Sequence, residues 1–121
     1  MTGTLSLVEA RELEHQRLEF VSFGVCSVEL GFERGTGFEV ETPTTVVVWS
    51  GMVLVSTTPD RTERVTVPVG GTGLPSLLTQ RVRSVTLAES GDLGLVFDTG
   101  DSLAVLRGYA IEYPDGTTLT L

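Results

Sequence analysis

The chain contains no Lys and no Asn, and only one Cys, one His, one Trp and one Ile among its 121 residues. Each shortage closes off a class of protein. A lone cysteine, Cys26, excludes an internal disulfide framework and a multi-Cys zinc site. A lone histidine, His15, would have to serve any Ser-His-Asp triad or His-based metal site. It falls within the polar stretch Glu12-Leu13-Glu14-His15-Gln16, where an exposed surface role is expected. Positive charge is also scarce: eight Arg stand against 16 Asp and Glu, a net charge of −8. That balance argues against nucleic acid and against an anionic membrane surface as partners. The longest apolar stretch, Thr45 to Val55, is broken at Ser50-Gly51 and is too short to span a bilayer. The first residues lack the positive region of a signal peptide. The expectation is a cytoplasmic protein with no membrane segment, no metal and no cofactor.

What the chain does contain points to β structure. The 40% hydrophobic fraction is enough for a packed core. Val and Thr are abundant, and their branched Cβ atoms suit a pleated surface. Fourteen Gly supply turns. Ser6-Leu7-Val8-Glu9 has the form of a capping box, predicting a short helix from about Leu7 to Glu14 with Leu7, Ala10 and Leu13 on one face. From Arg17 the period changes to two. Leu18, Phe20 and Ser22 share one face, and after a turn at Gly24-Val25 so do Cys26, Val28, Leu30 and Phe32. Cys26 is expected to be a buried, inert thiol in that row. A hairpin loop over Glu33 to Gly37 leads to a strand over Phe38 to Thr42, with Glu39 and Glu41 facing away from the core. Thr45 to Trp49 lacks alternation and reads as a strand covered on both faces. Ser50-Gly51 reads as a two-residue turn into Met52 to Ser56. Thr57 to Arg64 is polar and reads as a loop, with an edge strand over Val65 to Val69. Strands are then predicted at Val82 to Leu87, Leu93 to Phe97, Leu103 to Val105, Tyr109 to Tyr113 and Thr117 to Leu121.

Sliding the chain by 65 residues brings its halves into register. Leu30 meets Leu95, Phe32 meets Phe97, Gly35 meets Gly100, Val40 meets Val105, Val46 meets Ile111, Gly51 meets Gly116 and Leu54 meets Leu119. Paired positions two residues apart share a face, and the glycines fall where a hairpin must reverse. The prediction is a mainly β, single domain over residues 1–121. It consists of two pseudo-repeated antiparallel meanders, about 6–56 and 76–121, joined by a connector at 57–75. Each is preceded by a short helix or helical turn, and the two pack as one sandwich or barrel-like unit because neither can cover its own apolar face.

The second half, Arg81-Val82 through Leu93-Gly94-Leu95-Val96-Phe97-Asp98-Thr99-Gly100-Asp101 to Tyr113-Pro114-Asp115-Gly116, resembles a family of small bacterial β proteins of uncharacterised function, of actinobacterial type. Tyr109, Ile111, Glu112 and Tyr113 occupy the aromatic-acidic-hydrophobic strand that precedes the P-D-G turn in that family. The resemblance implies the character of an immunity protein: small, acidic and without catalytic residues. It carries no functional residue over to this chain.

Few chemical motifs remain. Asp98 and Asp101 flank Gly100 as turn residues, and are the pair an enzyme built on carboxylates would use. Gly70-Gly71-Thr72-Gly73 lacks the Lys and the following helix of a P-loop. Trp49, Tyr109 and Tyr113 are the aromatic candidates for recognition. Residues 1–56 hold eight acids against three Arg, and 76–121 hold six against three, so the acidity lies on both halves and is greater on the first. The leading expectation is a non-catalytic protein-binding domain, immunity- or antitoxin-like. It would dock a basic protein partner through an acidic sheet face carrying Glu29, Glu39, Glu41 and Trp49. The alternative is a self-associating structural protein, a homodimer pairing through Thr45 to Trp49 or Val65 to Val69. A carboxylate-dependent enzyme ranks last.

Overall fold

The computed structural model describes residues 2–35, 42–57, 60–67 and 73–121. It is mainly β: among the described residues, eleven strands form two sheets around a common hydrophobic core. The strands are β1 (Thr2–Thr4), β2 (Arg17–Phe23), β3 (Val28–Glu33), β4 (Thr44–Val48), β5 (Gly51–Thr57), β6 (Asp60–Thr66), β7 (Val82–Leu87), β8 (Leu93–Phe97), β9 (Ser102–Val105), β10 (Tyr109–Glu112) and β11 (Thr118–Thr120). One sheet has six strands in the order β1-β11-β10-β4-β3-β2; the other has five in the order β6-β5-β9-β8-β7. The sheets pack face to face and do not close into a barrel. Among the described residues no helix is long and apolar enough to cross a membrane.

The two sheets share one connectivity. In each, three consecutive strands (β2-β3-β4 or β7-β8-β9) are completed by a hairpin from the other half of the chain (β10-β11 or β5-β6). The inner rows match in chemistry. Leu30, Val46 and Ile111 lie side by side in the six-stranded sheet, and Leu95, Leu103 and Leu54 in the five-stranded sheet. All six are buried. The ungapped register of 65 holds only as far as β3 and β8. Under it Val46 would correspond to Ile111, but these residues sit opposite one another in adjacent strands of one sheet. The connectivity instead places β4 with β9 and β5 with β10, a shorter offset. The segment between β3 and β4 is longer than the one between β8 and β9, and no fixed slide of the sequence can absorb that difference.

Backbone hydrogen bonds join the two sheets along one side. His15 N–H donates to Val82 C=O at 2.7 Å and Val82 N–H to Gln16 C=O at 2.9 Å. In return Thr79 N–H donates to Leu18 C=O at 2.8 Å and Leu18 N–H to Gln80 C=O at 3.0 Å. His15 and Thr79 are the two non-glycine residues with positive φ among those described, at 70° and 71°. Both sit where a 3-10 turn, Arg11–Leu13 or Leu74–Leu77, gives way to a strand.

Several local expectations are corrected. The N-terminal helix, α1, covers only Leu7–Ala10 and continues as the 3-10 turn. Ser6 makes no side-chain cap, and Leu7 is exposed while Ala10 and Leu13 are buried. Thr2–Thr4 forms a strand parallel to β11, so the six-stranded sheet is mixed. Asp60–Thr66 is a strand, not a loop. It is an edge strand with only Val65 buried, so apolar alternation is absent and its charges guard the edge. Part of the expected connector therefore belongs to the five-stranded sheet. Ser50-Gly51 is not a hairpin turn: β4 and β5 lie in different sheets, and the segment crosses between them. The equivalent crossing from β9 to β10 runs beside it, held by Trp49 N–H to Gly108 C=O and Leu106 N–H to Gly51 C=O, both 3.0 Å. The strand expected over Phe38 to Thr42 falls almost wholly outside the described residues, as does the Gly70-Gly71-Thr72 stretch of the glycine-rich segment.

Candidate functional site

Strand alternation fixes what the six-stranded sheet turns outward. Val46 and Val48 enter the core, so Thr45, Val47 and Trp49 face away from it. On β3 Leu30 and Phe32 point inward, and Glu29 lies outward opposite Val47. On β10 Ile111 points inward, and Ala110 and Glu112 outward opposite Val47 and Thr45. On β2 a bulge between Leu18 and Phe20 breaks the strict alternation. Leu18 is buried, while Phe20 is turned outward and its ring lies directly over Gly31, where any Cβ would collide with it. The result is a strip of enclosed residues, with Val47 at 7% and Ala110 at 2% exposure, bordered by Phe20 at 37% and Trp49 at 51%. Glu29 and Glu112 lie along it.

The structure thus puts two of the four expected partner residues, Glu29 and Trp49, on one face. Glu39 and Glu41 lie outside the described residues. Sequence reasoning missed Phe20, because strict alternation put it inward with Leu18 and nothing local marks the bulge. It also left out Glu112, although that residue's outward position follows from the buried Ile111 beside it. Of the other aromatic candidates, Tyr109 is core: it is 1% exposed and its hydroxyl donates to Gly91 C=O at 2.9 Å. Burial, then the Asp92 charge, pushes that hydroxyl up to about 12.

Tyr113 lies on the surface between clefts. On one side Thr45, Glu112, Pro114 and Thr118 continue the outward face of the sheet into a hollow of about 340 Å³. On the other, between α1 and the β10–β11 turn, a cleft of about 380 Å³ is lined by Glu9, Glu12, Tyr113, Pro114, Asp115 and Leu119. The Tyr113 hydroxyl donates to Glu9 C=O at 2.6 Å. Burial first, then the charges of Glu9 and Glu12 and, more weakly, Asp115, holds its proton well above the ordinary tyrosine range.

The remaining sequence candidates have structural surroundings. Asp101 Oδ1 accepts from Thr57 N–H at 2.9 Å and Thr57 Oγ1–H at 3.0 Å, and Oδ2 accepts from Gln80 Nε2 at 3.3 Å. The Thr57 backbone donor, above all, holds its carboxyl below the usual Asp range. This carboxylate ties the end of β5 to the β8–β9 turn, while Asp98 is exposed on that turn. Cys26 is exposed, not buried, because the β2–β3 turn, closed by Gly24 N–H to Ser27 C=O at 2.8 Å, takes it out of the strand row. His15 is exposed, as its polar neighbours suggest. No group of three or more His, Cys, Asp or Glu side chains among the described residues is placed to hold a metal ion. Comparison with known proteins gave no match to a family model, to a curated protein or to a solved structure, so the functional reading stands on the chain's own geometry.

Proposed function

We propose that this chain is a non-catalytic protein-binding domain, immunity- or antitoxin-like in character, that docks a basic partner through the outward face of its six-stranded sheet. The observation that carries this reading is the grouping of half-exposed Trp49 and Phe20 with Glu29 and Glu112 on one face. The exposed aromatics supply contact area, and the acids supply sign selection against other partners. The net charge of −8 would steer a basic protein toward the domain.

Co-expression with the product of the adjacent gene, followed by size-exclusion chromatography at rising salt, tests the reading. The expected result is a complex that dissociates as salt increases and that Trp49→Ala or Glu29→Arg abolishes. Failure to co-elute, or salt-insensitive co-elution, overturns it.

Self-association is the second reading, and the geometry narrows its route. Thr45 to Val48 is hydrogen-bonded on both sides, to β3 and β10, so it cannot pair with another copy. The β6 edge has no strand beyond it among the described residues, but Asp60, Arg61, Glu63 and Arg64 make it a poor template. Light scattering at micromolar concentration checks this, and a strict monomer removes it.

A further inference from the structure

Among the described residues the two sheets end in four strands, β1, β2, β6 and β7, and three of these edges are guarded. β1 is three residues long, β6 carries Asp60, Arg61, Glu63 and Arg64, and α1 and the 3-10 turn after it pack against β7. β2 differs. No charged residue stands between Glu19 and Glu29, and Phe20, Phe23 and Val25 are all exposed there. The phase of the β2–β3 ladder decides which backbone groups on this edge are free. Leu18 turns its N–H and C=O away from β3, to Gln80 and Thr79, and Gly24 N–H reaches Ser27 C=O across the turn. Alternation between those ends puts Ser22 in a hydrogen-bonded pair with Glu29 and turns the N–H and C=O of Val21 and Phe23 outward. The bulge, which could twist an edge away, lies beside Leu18, whose groups are already taken.

This edge is complementary to itself. Set antiparallel about a two-fold axis at Ser22, Val21 of each copy faces Phe23 of the other, and the two exchange both N–H···O=C bonds. Ser22 then meets Ser22 of the second copy, Phe20 meets Gly24, and Glu19 falls toward Val25, so no like charges are opposed. We propose that two copies of this chain pair antiparallel through their β2 edges, joining their six-stranded sheets into one continuous sheet. The pairing stands apart from the docking reading and gives self-association a route that β4 and β6 lack.

Sedimentation velocity from micromolar to millimolar concentration tests the pairing, in reductant so that the exposed Cys26 cannot link copies. The expected result is a reversible dimer. Added salt should favour it by screening the −8 on each copy, whereas salt should dissolve the docked complex. In hydrogen exchange the Val21 and Phe23 amides should gain protection as concentration rises. The Ser22 amide, bonded to β3 in either state, should not change. Ser22→Lys opposes two like charges at the axis and should weaken the dimer about fivefold. The Ser22 side chain is exposed, so the fold is kept. Ser22→Glu should act the same way, and Ser22→Thr should preserve the dimer. A monomer at millimolar concentration, a dimer that salt dissociates, one that Ser22→Lys and Ser22→Glu leave intact, or one with unprotected Val21 and Phe23 amides overturns the pairing. Trp49→Ala should leave the dimer unchanged, so failure of the edge and failure of the docking face are told apart.

Discussion

The outward rows of the six-stranded sheet run through Phe20, Gly31, Thr45 and Glu112, then Ser22, Glu29, Val47 and Ala110. Those of the five-stranded sheet run through Arg64, Val53, Ala104, Gly94 and Thr86, then Thr62, Val55, Ser102, Val96 and Ser84. The second set is mostly small, half-exposed or exposed, and free of aromatics. The first holds an aromatic ring, two acids and residues enclosed although they face away from the core, with Trp49 at its end. The inner faces of both sheets are apolar, aliphatic but for buried Phe32 and Tyr109 in one and Phe97 in the other, and the connectivity is the same. The fold therefore does not demand an outward Phe20 or an exposed Trp49, because the five-stranded sheet is built without their counterparts. A feature present on one of two equivalent faces, and not needed by either, is where binding is most economically placed.

If the inner rows are equivalent, Leu54→Ala and Ile111→Ala should cost nearly the same, about 3 kcal/mol each, in urea denaturation. Both side chains are fully enclosed, and they occupy matching places in the two sheets. A large inequality would break the comparison at its base. Gly31→Ala comes next, at about 2 kcal/mol, because the new methyl must displace the Phe20 ring. A Phe20→Ala background should recover much of that loss, and the double-mutant cycle measures the recovery.

Asp101→Asn should cost about 1 kcal/mol through its hydrogen bonds to Thr57 and Gln80. Its carboxyl titrates below the ordinary Asp value of 3.8 in the folded chain. The stabilisation is therefore full above that value and is lost as pH falls through the lower, folded one. The variant should lack this part of the acid-unfolding curve. The smallest expected effect on stability is that of Trp49→Ala, within about 0.5 kcal/mol, together with loss of the complex. That pairing separates a binding residue from a core residue most sharply.

Much of the architecture could be read from the sequence. The two-residue period of Leu93, Leu95 and Phe97 gave a strand whose burial matches, and the unbroken Thr45 to Trp49 run did so up to Val48, Trp49 lying past the end of the strand and exposed. The Gly100 and Gly116 turns came out with positive φ as their glycines allow. The failures have common physical causes. β6 buries one side chain and so leaves no apolar period to read. The bulge in β2 turns Phe20 over by adding one unpaired residue, a tertiary event with no local composition. Ser50-Gly51 looks the same whether the chain reverses within a sheet or crosses to the other. The site was legible only as charge and an aromatic: Glu29 and Trp49 were visible, but their companions Phe20 and Glu112 depended on which faces the sheets turn outward.

The central claim is that one outward face docks and its counterpart does not. Hydroxyl-radical footprinting of the chain alone and in complex with the adjacent gene's product tests it most directly. Protection at Trp49 and Phe20, with Val55 and Val96 of the five-stranded sheet unchanged, is the predicted result. Protection confined to Val55 and Val96, or unchanged oxidation of Trp49 in the complex, would contradict it.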